Sequence, residues 1–292
     1  MKTLFLVNAR SGARRKVDIA TLIREAAGDA VTIRPTERKE DLDGAIDEAE
    51  REGFEVVYAV GGDGTVHEIA KRLIGRQLAL GILPTGSGNG FARHIGLPIE
   101  PRASLRACGQ RRVETIDTAV VNDMPFVGVM GIGFDAFVAD RFAASSVRGL
   151  KTYVQIGITS YFGYRPERYR ITVDGKSIER EAWVVAVANT SQYGNDARIA
   201  PLASLQDGLL DVVLIRDVSL LRMPFALLRL FRGTLHRAHG VEMLQGREVT
   251  IERAAPGAAH LDGEPVTLGA RLEVGIRPRS LRVLLPDAVG RI

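Results

Sequence analysis

The chain has 292 residues, of which 46% are hydrophobic and 25% charged, and its formal net charge at pH 7 is +4. This length and balance predict a globular protein of two domains with a buried core, and they exclude an intrinsically disordered chain. The excess of basic residues is small and forms no dense cluster, so we expect no nucleic-acid partner. The single cysteine, Cys108, excludes an intramolecular disulfide and fits a reducing cytoplasm.

No targeting or membrane-spanning segment is predicted. The opening apolar run, Leu4–Val7, is too short for the apolar core of a signal peptide. No stretch reaches transmembrane length without charged residues.

Strand and helix patterns alternate as far as Leu83. Apolar and β-branched runs predict strands, and apolar residues at three- and four-residue spacing predict helices. The predicted order is strand, helix, strand, helix, strand, helix, strand, over Thr3–Val7, Val17–Ala27, Ala30–Arg34, Leu42–Arg51, Val56–Val60, Val66–Ile74 and Leu78–Leu83. This alternation predicts an open parallel sheet with helices on both faces, in which ligands bind beyond the carboxyl ends of the strands.

Two glycine-rich loops follow consecutive strands of this sheet. In the first, Gly61-Gly62-Asp63-Gly64-Thr65, backbone N–H groups and a helix N-terminus can approach an anion without interference from Cβ atoms. The second reads PTGSGNGFAR, in which Thr85 and Ser87 offer hydroxyls and Arg93 offers a guanidinium to a phosphate. Asp63 alone is a poor phosphate ligand, but it suits a cation that bridges it to the phosphate. The two loops together predict a metal–nucleotide site.

Strand-like runs follow one another beyond Val113. They cover Val113–Val121, Phe126–Ile132, Tyr169–Val173, Ala182–Ala188, Leu209–Ile215, Glu248–Glu252 and Arg271–Gly275. Asp174-Gly175 is a strong signal for a two-residue hairpin turn. The region predicts a largely antiparallel sandwich or barrel, interrupted by helices near Ala136–Tyr161 and Leu220–Arg237. We place the domains at 1–120 and 121–279, with 280–292 returning to the first domain.

The two loops resemble those of the diacylglycerol kinase and sphingosine kinase superfamily, whose catalytic domain carries a Gly-Gly-Asp-Gly phosphate loop. The opening Asn8-Ala9-Arg10-Ser11-Gly12 resembles the family's Asn-Pro-x-Ser-Gly loop, and Thr36 matches a family position near the nucleotide. Gly90 stands where diacylglycerol kinases have an acidic residue, so the second loop is closer to the sphingosine kinase form. The resemblance implies an α/β plus all-β chain, with a three-layer open parallel sheet like that of NAD kinase and diacylglycerol kinase and then an antiparallel β-sandwich.

The resemblance also implies an ATP-dependent lipid kinase that uses Mg²⁺. Its acceptor is the hydroxyl of a membrane lipid of the diacylglycerol or sphingoid-base type, and its location is cytoplasmic with transient contact at the inner face of the membrane. We also expect a homodimer. The implied nucleotide-binding residues are Asn8, Ser11, Gly12, Thr36, Gly61, Gly62, Asp63, Gly64, Thr65, His67, Thr85, Ser87, Asn89 and Arg93. Of these, His67 is expected on the polar face of the helix after the first loop.

The segment His260-Leu261-Asp262-Gly263-Glu264-Pro265 holds the candidate general base. By sequence alone it is a tight turn with two solvated carboxylates. In the family an Asp-Gly-Glu stands here, and the chemistry needs a carboxylate that accepts the proton of the acceptor hydroxyl. Asp262 and Glu264 both remain candidates, beside Asp63 on the metal side.

Two further acidic positions gain a metal role only from the resemblance. Asp117 supports the catalytic metal–water network in the family, and by itself is equally a charge at a strand edge. Asp207, with the backbone carbonyls of Ser204 and Leu209, holds a structural magnesium in bacterial members. By itself it begins an ordinary Asp-Gly turn.

Three alternatives stay open at this stage. An NAD kinase shares the Gly-Gly-Asp-Gly loop but carries a downstream Asn-Glu pair that is absent here. A catalytically silent nucleotide-binding module has no need of the Asp262 and Glu264 carboxylates, and both are present. The segment Leu220–Arg232 mixes apolar residues with arginines, which fits an anionic membrane surface and a helix packed on a sheet equally well. Cys108 is interpreted as a packing residue, and no histidine has zinc-ligand spacing.

Overall fold

The computed structural model describes residues 1–8, 18–28, 31–109, 112–145, 150–217, 219, 221–287 and 292. These residues form two compact units. Unit 1 comprises Met1–Ile116 and Arg279–Ile292, and unit 2 comprises Asp117–Pro278. Within the described part of the chain, no helix is long and apolar enough to cross a membrane.

Unit 1 contains a parallel sheet with the strand order β2-β1-β3-β4-β16. The first four strands are β1 Thr3–Asn8, β2 Thr32–Thr36, β3 Val56–Gly61 and β4 Ala79–Pro84, and the fifth is the end of β16, Arg271–Leu285. Every residue of β3 and β4 is buried, as the continuous apolar runs predict for a sheet covered on both faces. The predicted open parallel sheet is confirmed.

Five helices accompany this sheet: α1 Ile19–Ala27, α2 Asp41–Arg51, α3 Asp63–Leu73, α4 Gly90–His94 and α5 Pro101–Ala107. Helix α2 buries the four residues of its predicted apolar stripe, and α3 likewise buries four apolar residues of its predicted stripe: Leu42, Ala45, Ile46 and Ala49 in α2, and Val66, Ile69, Ala70 and Leu73 in α3. Helix α3 packs on β3 and β4 and contacts α2, whereas α5 packs on β4 and contacts α1. Helix α3 therefore starts directly at the end of β3, with the first glycine loop as the junction.

Unit 2 is an antiparallel β-sandwich. One sheet has the order β12-β11-β10-β7-β14-β15 and consists of Val241–Gly246, Leu210–Ile215, Val184–Ala188, Val129–Gly133, Gly257–Leu261 and Glu264–Leu268. The other contains β5 Arg112–Val121, β6 Met124–Phe126, β8 Glu167–Val173, β9 Lys176–Ala182, β13 Glu248–Glu252 and the start of β16. Apolar side chains from both sheets form one buried cluster, which confirms the predicted sandwich.

Three helices and a 3₁₀ turn complete unit 2: α6 Phe134–Ala144, α7 Leu150–Tyr161, α8 Met223–Phe231 and the turn Leu235–Arg237. The predicted hairpin at Asp174-Gly175 is confirmed, since both residues have positive φ and β8 and β9 pair across them. The prediction of one strand over Phe126–Ile132 is wrong, because the run is divided between β6 and β7. Strands β9, β12, β14 and β15 were not predicted, because their polar, alanine and glycine residues weaken the β pattern.

Candidate active site

The carboxyl ends of β1 to β4 bring the predicted nucleotide-binding residues of unit 1 to one edge of the sheet. Asn8 is paired with Thr36 in the β1–β2 register, and Gly61 is paired with Pro84 in the β3–β4 register. The Asn8 side-chain amide donates to the Thr65 hydroxyl at 2.9 Å, which connects β1 to the first glycine loop. Thr36 is buried and donates to the backbone carbonyl of Val7 at 3.3 Å. Ser11 and Gly12 lie outside the described residues.

The two glycine loops contact each other through backbone atoms. A Cβ atom on Gly86 would lie 2.5 Å from the Cα of Gly62, and one on Gly62 would lie 3.1 Å from the Cα of Gly86. A Cβ atom on Gly61 would collide with the side chain of Thr65. The backbone N–H of Thr85 also donates to the carbonyl of Gly61 at 2.9 Å. Gly86 therefore has no room for a side chain beside Gly62, and Gly61 has none beside Thr65.

Asp63 joins the first loop to the second. One carboxylate oxygen accepts the backbone N–H of Asn89 at 2.7 Å, and the other accepts that of Gly90 at 2.6 Å. These two donors begin α4, so the carboxylate lies at a helix N-terminus, where a negative charge is favoured. Each carboxylate oxygen can accept a further hydrogen bond or a water molecule that is bound to a cation.

The second loop is shaped by Asn89. Its φ of 52° is left-handed, and its side chain accepts the N–H of Gly86 at 3.1 Å and donates to the carbonyl of Gly86 at 2.9 Å. Arg93 donates to the carbonyl of Gly88 at 3.2 Å, whereas Ser87 at the tip is exposed. The loop therefore has a fixed backbone with an exposed hydroxyl at its tip.

Helix α3 differs from the sequence expectation on one face. His67, expected on the polar face, is buried, and so is the neighbouring Glu68. Glu68 forms ion pairs with Lys39, Lys71 and Arg72 at 2.6–2.9 Å. Burial raises the pKa of Glu68, but the hydrogen bonds from Lys71, Arg72 and Lys39 outweigh it and lower the pKa to about 2. Sequence reasoning missed this network because Lys39 precedes α2 and is distant along the chain.

In unit 2, Asp262 forms the turn between β14 and β15 with φ 52°. Its carboxylate accepts three backbone N–H groups, from Val127, Gly128 and Val129, at 3.0, 2.7 and 3.0 Å. A Cβ atom on Gly128 would lie 2.8 Å from one of the carboxylate oxygens, so the absence of a side chain at Gly128 makes room for the carboxylate. The three donors fix the position of the carboxylate against the start of β7.

Glu264 lies directly across the turn and begins β15. It is paired with Leu261 in the hairpin register, and its side chain is partly exposed. The two carboxylates of the Asp-Gly-Glu element therefore differ in their surroundings. Asp262 anchors the turn to the chain before β7, whereas Glu264 extends from the first residue of the following strand.

A buried polar cluster next to this hairpin was not predicted. Asp135, in the first turn of α6, accepts the Tyr193 hydroxyl at 2.7 Å and lies 3.2 Å from Nε2 of His260. All three groups are on different elements, and Asp135 and His260 are almost fully buried. Nδ1 of His260 has no hydrogen-bond partner among the described residues. Only the fold brings these residues together, since 125 and 58 positions separate Asp135 from the other two.

Asp117 is buried in unit 2. Its carboxylate accepts the N–H of Gly208 at 2.8 Å, and its backbone N–H donates to the carbonyl of Leu205 at 2.7 Å. The Asn189 side chain donates to the Asp117 carbonyl at 2.9 Å. Asp117 is therefore a buried residue of β5 that holds the loop containing Leu205 and Gly208.

The loop itself holds Ser204, Asp207 and Leu209. Asp207 is exposed and accepts the N–H of Leu209 at 2.9 Å. Nearby Asp211 is buried, and burial raises its pKa to about 6; the hydrogen bond from Gln245 lowers the pKa, and the charge of Asp207 raises it further. No group of three or more His, Cys, Asp or Glu side chains with metal-binding geometry occurs among the described residues.

Two family models match consecutive segments of the chain. The family model described as diacylglycerol kinase catalytic domain matches residues 2–121, and the one described as YegS C-terminal NAD kinase beta sandwich-like domain matches residues 128–285. The chain is 31% identical to the "Probable lipid kinase YegS-like" of Pseudomonas aeruginosa, over 98% of this chain and 94% of that protein. It is 28% identical to the "Probable lipid kinase YegS" of Salmonella typhimurium, over 97% and 96%.

Solved structures show the same fold. A crystal structure described as a diacylglycerol kinase from Bacillus anthracis matches with a TM-score of 0.74 and 19% identity, over 99% of this chain and 98% of that one. An NAD kinase from Archaeoglobus fulgidus in complex with ATP matches with a TM-score of 0.53 and 15% identity, over 98% and 94%. These likenesses confirm the expected architecture of a parallel-sheet domain followed by a sandwich.

Proposed function

The chain belongs to the family with a diacylglycerol kinase catalytic domain, and on that premise we propose that it is an ATP-dependent lipid kinase. It transfers the γ-phosphoryl group of ATP to the hydroxyl of a membrane lipid of the diacylglycerol or sphingoid-base type. The observation that carries this proposal is the edge of unit 1 where Asn8, Thr36 and the two glycine loops converge. The names of the relatives support the lipid acceptor.

In this proposal the glycine loops bind the phosphates of ATP. Their bare backbone permits close approach of an anion, and the first loop leads into the N-terminus of α3. Asp63 would hold Mg²⁺, because its carboxylate supplies the anionic oxygen ligands that this ion prefers and two backbone donors fix its orientation. Mg²⁺, when bound, neutralises charge on the phosphates. Ser87 and Arg93 supply polar contacts from the second loop.

We assign the proton acceptor to Glu264 and the positioning of the hairpin to Asp262. The acceptor hydroxyl must lose its proton as its oxygen bonds to phosphorus, and a carboxylate that is already held by three N–H donors is a poor base. Glu264 accepts that proton, while Asp262 fixes the turn from which Glu264 extends. Asp63 acts on the metal side.

A second, structural magnesium is part of the proposal. Asp207 and the carbonyls of Ser204 and Leu209 are oxygen donors, which suits Mg²⁺.

Transfer of radiolabelled phosphate from γ-labelled ATP tests the proposal. The acceptor panel contains diacylglycerol, sphingosine, phosphatidylglycerol and undecaprenol, with NAD as a separate acceptor. We expect a labelled lipid and no NADP. Label on NAD alone would overturn the lipid assignment. Unchanged turnover in Asp63→Ala and in the double variant Asp262→Ala, Glu264→Ala would overturn the site.

A further inference from the structure

Helix α8 of unit 2 is an apolar helix outside the core. None of its residues, Met223–Phe231, is buried. Leu230 alone among them packs partly against the neighbouring apolar cluster, and the N–H of Arg198 donates to its carbonyl at 3.1 Å. Leu235, in the 3₁₀ turn that follows the helix, is buried and anchors the C-terminal end of the segment. The helix is therefore attached along one side only.

Its remaining surface is unusually apolar for an exposed helix. Phe225 is 68% exposed, and Leu221, just before the helix, is 87% exposed. Leu227, Leu228 and Phe231 are also exposed. The three-residue spacing of Phe225, Leu228 and Phe231 places them on one face of the helix, and Leu227 lies between that face and Leu230. Water contact with these side chains is unfavourable, so the face is suited to an apolar environment.

The charges around this face have one sign. Between Asp217 and Glu242 the sequence contains four arginines and no acidic residue. Arg222 is paired with Asp217 at the edge of this interval. Arg232 and Arg237 are exposed, and Arg229 is partly so. The apolar face therefore has a basic border, which is the pattern of helices that lie in the plane of an anionic membrane.

We propose that α8 docks the protein on an anionic lipid bilayer, with Phe225, Leu228 and Phe231 in the interface and the arginines on the headgroups. This inference rests on the proposed lipid-kinase function, to which it adds the element that reaches the substrate's membrane. A second copy of the chain fits less well, because a symmetric contact would bring the same arginines together without acidic partners.

The first test is flotation with vesicles in the absence of ATP. Vesicles of phosphatidylcholine alone are compared with vesicles that also contain phosphatidylglycerol. We expect binding only to the second kind and weaker binding at high salt. The double variant Arg229→Gln, Arg232→Gln should bind about 25-fold more weakly, from about 1 kcal/mol per arginine. The matched control Arg165→Gln, Arg168→Gln removes two exposed arginines elsewhere in unit 2 and should bind as the parent does.

The second test reports depth. Cys108 is buried, and burial raises the pKa of its thiol to about 12, so a cysteine introduced by Phe225→Cys can be labelled selectively. A dye there should be quenched by lipids brominated on their acyl chains. A dye introduced by Ile158→Cys, at an exposed position of α7, is the comparison and should be quenched less. Equal quenching at both positions, or none at position 225, would overturn the assignment of α8.

Activity separates this inference from the proposed function. Phe225→Ser with Leu228→Ser should lower phosphorylation of lipid in vesicles and leave phosphorylation of the same lipid in detergent micelles unchanged. If the parent protein phosphorylates lipid neither in vesicles nor in micelles, the proposed kinase function is contradicted. The flotation experiment still tests the membrane binding of α8 in that case. Vesicle binding that is unaffected by these variants, or a monomer produced from a dimer by them, would contradict docking on lipid.

Discussion

The two carboxylates of the Asp-Gly-Glu turn have different partners, although they are two residues apart. Asp262 accepts three backbone N–H groups from residues 127–129, at the start of β7, and Glu264 starts β15. The sequence predicts the pair as candidate bases but not their separation into two roles. The distinction depends on residues 127–129, which lie more than a hundred positions away and carry no polar signal.

Replacing each carboxylate in turn tests this assignment. Glu264→Gln should lower kcat by about 100-fold or more and leave the free energy of unfolding unchanged, because it removes a proton acceptor at a partly exposed position. Asp262→Asn should lower the free energy of unfolding by about 2 kcal/mol, since charge-assisted hydrogen bonds are lost. Steady-state kinetics and urea unfolding measure both effects. A full loss of kcat in a stable Asp262→Asn protein, with Glu264→Gln active, would reverse the two roles.

The contact between Gly62 and Gly86 leads to a further prediction. Gly86→Ala places a methyl group 2.5 Å from the Cα of Gly62, and we expect a loss of about 1–3 kcal/mol with weaker ATP binding. Gly44→Ala is the matched control, because a Cβ atom there meets nothing within 4 Å in the middle of α2. It should stabilise the protein by up to about 1 kcal/mol. Calorimetric titration measures ATP binding, and urea unfolding measures stability. Equal ATP affinity and equal stability of the two variants would contradict the role of the Gly62–Gly86 contact.

The alternation of strands and helices in unit 1 could be predicted from the sequence, because each strand is a continuous apolar run and each helix has one apolar face. Helix α2 buries the four residues of its predicted stripe. Helix α8 shows the limit of such reasoning. Its pattern fits a packed helix and a surface helix equally well, and only the structure shows that none of its residues is buried. Tertiary burial decides between them, and periodicity does not report it.

The ion network of α3 predicts a dependence of stability on pH. The pKa of Glu68 is lowered from 4.5 to about 2 in the folded protein, so its contribution is fully present above pH 4.5 and is lost as pH falls toward 2. The shift corresponds to about 3 kcal/mol at most. Glu68→Gln should remove this contribution at neutral pH and flatten the loss of stability in acid. The control Glu25→Gln affects only a surface pair with Arg102 and should change little.

At the scale of the molecule, β16 belongs to both units. Its first part pairs with β13 in unit 2, and Arg282 and Val283 near its end pair with Ala79 and Leu80 of β4 in unit 1. Arg279, at the division between the units, has a left-handed φ of 49°. The sequence analysis predicts that residues 280–292 return to the first domain. It does not predict that they continue a strand paired with β13, because nothing in the sequence marks one strand shared by two units.

Deletion of residues 279–292 tests the dependence of unit 1 on this strand. Leu281, Val283, Leu284 and Leu285 are buried, and full burial of such side chains contributes about 1.5–3 kcal/mol each. Their combined loss is comparable with the total stability of a domain, so we expect unit 1 to unfold. Limited proteolysis should then cleave within residues 31–109 and spare 130–270. Equal protection of both regions would contradict the prediction.

The position of β16 also has a consequence for the order of events during translation. Residues 279–292 leave the ribosome after the whole of unit 2, although the sheet that they complete begins with β1. Until then the edge of β4 has no neighbouring strand on that side, and an apolar unpaired edge invites pairing with another chain. Although unit 1 is synthesised first, its sheet is completed only after unit 2 has been synthesised. A pause in synthesis within unit 2 therefore prolongs the interval in which the unpaired edge of β4 can associate with another nascent chain.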